Sequence, residues 1–139
     1  MYSPRKPWWR RWFGTRSERA AAKFLKRLGY RIVARNFSCP LGELDLIALD
    51  GSFIVFVEVR STEALDVEKT AASVDPEKQR RLTRMALFFL KNKCLLNHPA
   101  RFDVLVVSWP TSQRQPIIEH HKSAFEAVGK FQMFSCGLP

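Results

Sequence analysis

A predicted β-hairpin carries the residues whose types and spacing could perform chemistry. Asp50-Gly51 lies between two apolar runs and is a strong signal for a two-residue turn. This turn places Asp45 opposite Phe56 and Glu43 opposite Glu58. Because side chains alternate between the two faces of a strand, one face collects the charged residues near the open end of the hairpin. These residues are Glu43, Asp45, Glu58 and Arg60.

Three carboxylates on one face of a hairpin imply a cation. Directly opposed Cβ atoms lie roughly 5 Å apart and diagonal ones roughly 7 Å, so the charges repel one another unless a cation lies among them. Magnesium prefers oxygen ligands, takes one or two carboxylates and keeps several waters. The same face carries Ile47, Ile54 and Phe56, so we expect it to be largely buried. The pattern predicts a Mg²⁺ (or Mn²⁺) site, whereas a turn one residue longer would move Glu58 to the other face.

Two further charged residues fall on helical faces that point towards this region. Glu18 lies on an otherwise apolar helical stripe, where it could join the site, but Thr15 and Glu18 also fit a capping box at a helix start. Lys78 lies in the first turn of a second helix, on its apolar face. It could reach the site or extend its stem past the edge of the core into solvent. Both alternatives stay open for each residue.

The elements that must position these residues follow from periodicity and capping signals. The first helix is expected from about Arg16 to Gly29, with Ala21, Leu25 and Leu28 as its apolar stripe. Asp75-Pro76 provides an N-cap and an N1 proline for a helix that ends near Lys91. Strands are predicted at about 30–37, 44–49, 53–60, 102–109 and 117–120. The order α-β-β-β-α-β-β predicts an α/β fold with a mixed central sheet flanked by helices.

The positive charge of the chain is concentrated at one end. The net charge is +10, and residues 1–35 hold 11 Lys and Arg against the single acid Glu18. Such a field favours a polyanion, because neutralised phosphates release counterions. We expect nucleic acid as the partner, with DNA ranked ahead of RNA and an anionic membrane surface ranked second. The candidate nucleic-acid-binding residues are Arg5, Lys6, Arg10, Arg11, Arg16, Arg19 and Lys23.

The 139 residues fit one domain between two tails. Residues 1–13 combine prolines, arginines and tryptophans and are expected to be an irregular basic tail. Residues 14–127 form the domain, and 128–139 form a C-terminal tail. No apolar run approaches the roughly 18 residues of a membrane span, and no secretion signal is present, so we expect a cytoplasmic protein. The three cysteines and three histidines show no ligand spacing, which predicts buried free thiols and surface histidines.

Several of these residues occur in motifs that resemble a known family. The chain is similar to the YraN-like bacterial proteins, which are assigned to the PD-(D/E)XK nuclease superfamily, from about Gly14 to Phe125. The motifs that carry the resemblance are Gly42-Glu43-Leu44-Asp45-Leu46-Ile47, Phe56-Val57-Glu58-Val59-Arg60, Ser73-Val74-Asp75 followed by Lys78, Arg101-Phe102-Asp103-Val104, and Ala124-Phe125. The resemblance implies a restriction-endonuclease-like three-layer sandwich.

The resemblance also implies roles around a metal ion. Asp45 would be the central metal-binding aspartate and Glu58 the first acid of the E-x-K element. Val59 would offer its backbone carbonyl to the metal. Glu18 matches the acid that the superfamily supplies from its first helix, and Glu43 would tune the metal or bind it through water.

The chain departs from the superfamily pattern at two positions. Leu44 stands where the pattern has proline, and Arg60 replaces the lysine of E-x-K. Arginine can hold a phosphate but cannot lose a proton to act as a base. Arg60 and Lys78 would position the phosphate, with Lys78 or Gln79 matching the polar residue of the second helix.

Three functional hypotheses follow. The first is a divalent-metal-dependent endonuclease that hydrolyses phosphodiesters. The second is a non-catalytic nucleic-acid-binding module that keeps the fold with a degenerate site. The third is a membrane-surface adaptor that uses the tryptophan- and arginine-rich tail.

Overall fold

The computed structural model describes residues 8–62 and 74–127. The order of elements is α-β-β-β-α-β-β, as predicted. The elements are α1 (Trp8–Arg27), β1 (Arg31–Cys39), β2 (Gly42–Asp50), β3 (Phe53–Thr62), α2 (Pro76–Asn92), β4 (Ala100–Ser108) and β5 (Ile117–Phe125).

Helix α1 is longer than predicted at its N-terminal end. It begins at Trp8, about two turns before the predicted start near Arg16. Residues 8–13, which we expected to be irregular, are helical because both prolines of the predicted tail, Pro4 and Pro7, precede Trp8 and arginine is a good helix former. The predicted capping box of Thr15 and Glu18 is therefore wrong, since both residues lie inside the helix.

The buried stripe of α1 matches the prediction in part. Ala21 and Leu25 are buried as expected, together with Ser17 and Ala22. Leu28 is 52% exposed, so its predicted place on the stripe is wrong. The helix ends at Arg27, and Leu28 falls in the turn that follows.

Helix α2 begins as its capping signals predict. The Asp75 carboxylate accepts a hydrogen bond from the Lys78 backbone N–H at 2.9 Å, and Pro76 occupies the first turn. The polar side of the helix is exposed at Arg80, Arg84 and Lys91. Within the described residues, neither helix is long and apolar enough to cross a membrane.

The five strands form one mixed sheet in the order β1-β2-β3-β4-β5. Strands β3 and β4 are parallel, and the other neighbouring pairs are antiparallel. Helix α2 lies in the crossover between the parallel strands. One apolar cluster joins α2 to one face of the sheet, and a second joins α1 to the opposite face. The result is a three-layer sandwich with the sheet in the middle.

The hairpin turn lies one residue later than predicted. Asp50 pairs with Phe53, so the turn residues are Gly51 and Ser52. The predicted Asp50-Gly51 turn is wrong because its I′ geometry needs a positive φ at both central residues. Only Gly51 has one, at φ 60°, and it occupies the first central position, where type II′ turns favour glycine.

Neither cysteine in the described residues is fully buried. Cys39 is half-buried in β1, and Cys94 is exposed after α2. The expectation of buried thiols is wrong for Cys94, because it adopts a positive φ of 57° in the surface turn that closes the helix.

Candidate active site

The corrected turn brings Asp45 and Glu58 into direct contact. Moving the turn by one residue shifts the register by two, which preserves the face of each side chain. Continuing the observed pairing of Leu46 with Val57 by one residue puts Asp45 opposite Glu58. The two carboxyl groups lie close enough that Glu58 raises the pKa of Asp45 by its charge and by hydrogen bonding. The backbone N–H of Val59 donates to Asp45 Oδ2 at 2.9 Å.

The sheet is irregular on both sides of Asp45. Asn36 of β1 has a φ of 50° and lies across from Asp45, between the pairs Arg35–Leu46 and Phe37–Leu44. Beyond this point Leu44 packs in the α2 cluster with Ile47, three residues away, although strict alternation requires an even spacing. Asn36 was missed in the sequence; its signal is that asparagine tolerates positive φ better than most residues.

The start of β2 is fixed by a close approach of backbone to helix. Gly42 has a φ of 142°, a conformation that favours glycine. A Cβ at this position would lie 3.1 Å from the Sδ of Met85 in α2. Gly42 therefore allows β2 to pass close under α2 just before Asp45.

The surroundings of Asp45 disfavour its charge. Burial raises the pKa of Asp45 well above its ordinary value, and the neighbouring carboxylates of Glu58 and Glu18 raise it further. The hydrogen bond from Val59 acts in the opposite direction but is outweighed. Repulsion between close carboxylates is what a divalent cation relieves.

Lys78 reaches the site from the first turn of α2. Its Nζ forms an ion pair with Glu58 Oε2, and the Glu58 side chain is 12% exposed. This contact favours the reading in which Lys78 enters the site over the one in which it only extends past the core. The neighbouring Gln79 uses its amide nitrogen differently, donating to the Val74 carbonyl at 2.6 Å.

The structure separates the two remaining acids. Glu18 approaches from α1 and acts electrostatically on Asp45. Glu43 is exposed and pairs with Ser38 of β1. Since Leu44 points into the α2 cluster, alternation turns Glu43 away from that face. The predicted common face of Glu43, Asp45 and Glu58 is thus interrupted where the sheet becomes irregular.

Val59 and Arg60, which follow Glu58 along β3, lie on opposite faces of the sheet. Alternation from the buried Phe56 places Arg60 on the α2 side with Glu58. Val59 packs with the α1 cluster. Both are half-buried, and both pair with β4, Val59 with Leu105 and Arg60 with Val106.

A polar contact attaches α1 to the end of β3. Ser17 is buried, and its hydroxyl donates to Ser61 Oγ at 2.7 Å and accepts from Trp109 Nε1 at 2.8 Å. The Trp109 backbone N–H donates to the Thr62 carbonyl at 3.0 Å. These residues were not predicted. Their available signal was a serine on the buried stripe of a helix, where a hydroxyl needs a partner.

The predicted nucleic-acid-binding residues fall into two groups. Arg5 and Lys6 lie outside the described residues, as do the side chains of Arg10 and Arg11. The other three, Arg16, Arg19 and Lys23, are exposed on α1.

The carboxylate pair fits a magnesium ion. Within residues 8–62 and 74–127, no group of three or more acidic, histidine or cysteine side chains is placed to hold a metal together. Two carboxylates nevertheless match magnesium, which often takes only one or two and completes its shell with water and substrate phosphate. Asp45 and Glu58 would hold the ion. The predicted metal roles of Val59, Glu18 and Glu43 stay predictions.

A second buried carboxylate serves a different purpose. Asp103 of β4 is fully buried and accepts hydrogen bonds from Arg101, from the Ser123 backbone N–H at 3.0 Å, and from His120 at 2.8 Å when the facing ring nitrogen is protonated. The expectation that His120 is a surface histidine is wrong. Its side chain is 9% exposed because β5 turns it towards the sheet.

The fold and the site together define a class. The α-β-β-β-α-β-β order and the mixed five-stranded sheet between two helices are those of a restriction-endonuclease-like α/β domain, and Asp45 and Glu58 lie on its central strands. The sequence profile of the uncharacterised protein family UPF0102 matches residues 17–107. The chain therefore belongs to that family, which confirms the YraN-like resemblance.

Individual relatives share most of the chain. A UPF0102 protein of Rhodopirellula baltica is 46% identical over 119 residues, covering 84% of this chain and 71% of the relative. One of Geotalea uraniireducens is 46% identical over 113 residues, covering 81% and 88%. One of Pseudomonas putida is 41% identical over 114 residues, covering 81% and 92%.

Proposed function

We propose that this protein is a divalent-metal-dependent nuclease that hydrolyses phosphodiester bonds in nucleic acid. The observation that supports the proposal is that the carboxyl group of Asp45 lies next to that of Glu58, in surroundings that disfavour the negative charge of Asp45. Lys78 pairs with Glu58, whereas no cation pairs with Asp45 among the residues that the structure describes. When bound there, Mg²⁺ or Mn²⁺ would stabilise negative charge on a phosphoryl oxygen.

The residues around the pair have distinct tasks in this proposal. The Val59 N–H fixes the orientation of Asp45, so one carboxylate oxygen remains directed towards Glu58. Lys78 holds Glu58 from α2 and would release or share it when a phosphate enters. Arg60 provides a permanent charge and a rigid fork for the phosphate, and a water molecule has to lose its proton without help from this side chain.

A non-catalytic nucleic-acid-binding module is the second candidate. Two observations favour it, namely the arginine at position 60 and the ion pair between Lys78 and Glu58. Arginine cannot act as a base, and a lysine on Glu58 already neutralises one of the two carboxylates.

Metal-dependent cleavage separates the two candidates. Labelled DNA and RNA of several shapes are incubated with the protein in Mg²⁺, in Mn²⁺ and in EDTA. We expect cleavage only with a metal, and we expect Glu58→Ala to abolish it while leaving nucleic-acid affinity nearly intact, since that change removes a metal ligand and no phosphate contact. If the wild type and Arg60→Lys both bind nucleic acid but cleave no substrate, the nuclease proposal is wrong and the non-catalytic binding module is the remaining candidate.

A further inference from the structure

An open groove runs along the exposed side of α1. Its other wall is the connection between β4 and β5, and its volume is about 520 Å³. The groove is rich in cations, with five lining it from the two sides. They are Arg16, Arg19, Lys23, Arg27 and Arg114.

The charge of the groove is of one sign. No acidic residue lines it among the described residues. All five cationic residues are exposed, and Arg114 comes from a part of the chain far from α1 in sequence. Four cations on one helix face can be an ordinary solvated surface. A fifth cation that faces them across a concave wall makes the groove suited to an anionic ligand.

The groove begins next to the candidate active site. At one end, the Arg16 guanidinium lies 3.5 Å from the centre of the Trp109 ring, and Trp109 bonds to Ser17 and Thr62. Ser17 is bonded to Ser61, the residue after Arg60. Glu18, which follows Ser17, acts on Asp45. The row of cations therefore leads towards the carboxylate pair.

We propose that this groove binds the sugar-phosphate backbone of the nucleic acid and guides it to Asp45 and Glu58. The inference rests on the proposed function for the identity of the polyanion. From Arg16 to Arg27 the row is about 16 Å long at 1.5 Å per residue. That length corresponds to about five base pairs along one strand of a B-form duplex.

The groove contacts phosphates and does not read bases. The aromatic surface in it belongs in part to Trp109, and Arg16 already stacks on one face of that ring. A base therefore cannot occupy that face without displacing the guanidinium. Contacts from arginine and lysine to phosphates carry no sequence information, so binding tolerates changes of base sequence.

Matched charge variants test the groove. The groove variant carries Arg19→Gln, Lys23→Gln and Arg114→Gln. The control carries Arg80→Gln, Arg84→Gln and Lys91→Gln, which remove the same charge from the exposed side of α2. Binding to labelled duplex DNA of two base compositions is measured over a range of salt concentrations, and thermal unfolding verifies that each variant is folded. Arg114→Gln alone serves if the triple variant does not fold.

The groove variant should change the salt dependence and the control should not. Three lost phosphate contacts reduce the slope of log K against log salt by about 2.7, at about 0.9 per contact, and Arg114→Gln alone reduces it by about 0.9. The same reduction should occur with both base compositions. Equal slopes for wild type and groove variant, or equal reductions in groove variant and control, would overturn the proposal that the groove binds the sugar-phosphate backbone.

The outcome also distinguishes this inference from the proposed function. If the wild type cleaves DNA with metal but the groove variant keeps its slope, the nuclease stands and the groove is wrong. If the groove variant loses binding but the wild type cleaves nothing, the groove stands and the proposed catalysis is wrong. If the wild type binds phosphatidylglycerol vesicles and no nucleic acid, and the groove variant loses the vesicles, the nucleic-acid assignment is overturned in favour of a membrane surface.

Discussion

The pKa values of two aspartates in the sheet, the half-buried Asp45 and the fully buried Asp103, are shifted in opposite directions. Burial alone would raise the pKa of Asp103, but hydrogen bonds from His120, Arg101 and Ser123 lower it below its ordinary value. Asp45 accepts a hydrogen bond from the Val59 N–H, and the neighbouring acids Glu58 and Glu18 raise its pKa together with burial. Hydrogen-bond donors in the protein outweigh the cost of burying the Asp103 charge, whereas for Asp45 they do not.

This difference separates a structural carboxylate from one available for chemistry. Arg101 ties Asp103 to Asp50 of β2 at 3.0 Å and to the Tyr30 hydroxyl at 2.7 Å, so Asp103 is the centre of a network that links β2, β4 and β5. An acid left next to another acid reduces stability until a cation arrives. Functional sites are where proteins tolerate this arrangement.

The largest expected effect comes from neutralising each aspartate in turn. Asp103→Asn leaves the Arg101 charge without its buried partner and should lower the free energy of unfolding by about 3–5 kcal/mol, the usual loss for one partner of a buried pair. Asp45→Asn keeps an oxygen for Val59 and removes repulsion from Glu58, so the free energy of unfolding should stay the same or rise. Urea denaturation in EDTA measures both. Equal losses in the two variants would show that the aspartates do not differ.

The two arginines associated with these acids should respond differently to the same change. If the nuclease is active, Arg60→Ala should reduce the cleavage rate by roughly 10²–10³, and Arg60→Lys should retain or increase cleavage, because it restores the E-x-K pattern. Arg101→Lys should instead lower stability, since a lysine cannot form the paired bonds to Asp103. Cleavage rates and urea midpoints are measured for all three variants. Loss of cleavage in Arg60→Lys with unchanged stability would contradict a purely electrostatic role.

A smaller effect is expected on the pH dependence of stability. Because the native pKa of Asp45 is raised, the native state binds more protons than the unfolded state above the ordinary value of 3.8, so this residue makes stability fall as pH rises through the raised pKa. The effect of Asp103 on stability has the opposite pH dependence. Its stabilising contribution is lost as pH falls through its lowered pKa. The decline due to Asp45 should be absent from Asp45→Asn in EDTA. Parallel pH curves for wild type and Asp45→Asn would contradict the assignment.

The fold was largely predictable from local signals. For the part of the chain that the structure describes, the number, order and type of the elements follow from hydrophobic periodicity and from the cap at Asp75 and Pro76. The N-terminal extension of α1 was not foreseen, because arginine and tryptophan in a charged tail also suit irregular chain. The turn was misplaced by one residue because asparagine- and aspartate-glycine pairs favour type I′, whereas here Gly51 alone has the positive φ.

The site was predictable in its acids but not in its geometry. Asp45 was predicted opposite Phe56, but it stays on the same face as Glu58 despite the error in the turn, because the register moved by two residues. Glu43 was grouped with them on the assumption of unbroken alternation, and β2 does not keep it, since Leu44 and Ile47 both pack in the α2 cluster. The groove depends on Arg114 facing α1, a tertiary contact with no counterpart in local sequence.

Binding of Mn²⁺ tests most directly the claim that Asp45 and Glu58 form a binding site for a divalent cation. Electron paramagnetic resonance measures how much added Mn²⁺ is bound by the wild type, by Asp45→Asn and by Asp103→Asn in a buffer free of nucleic acid. We predict one bound ion per chain for the wild type, retained in Asp103→Asn wherever that variant is folded, and lost in Asp45→Asn. Equal binding by wild type and Asp45→Asn, or no binding by the wild type at millimolar Mn²⁺, would contradict the account.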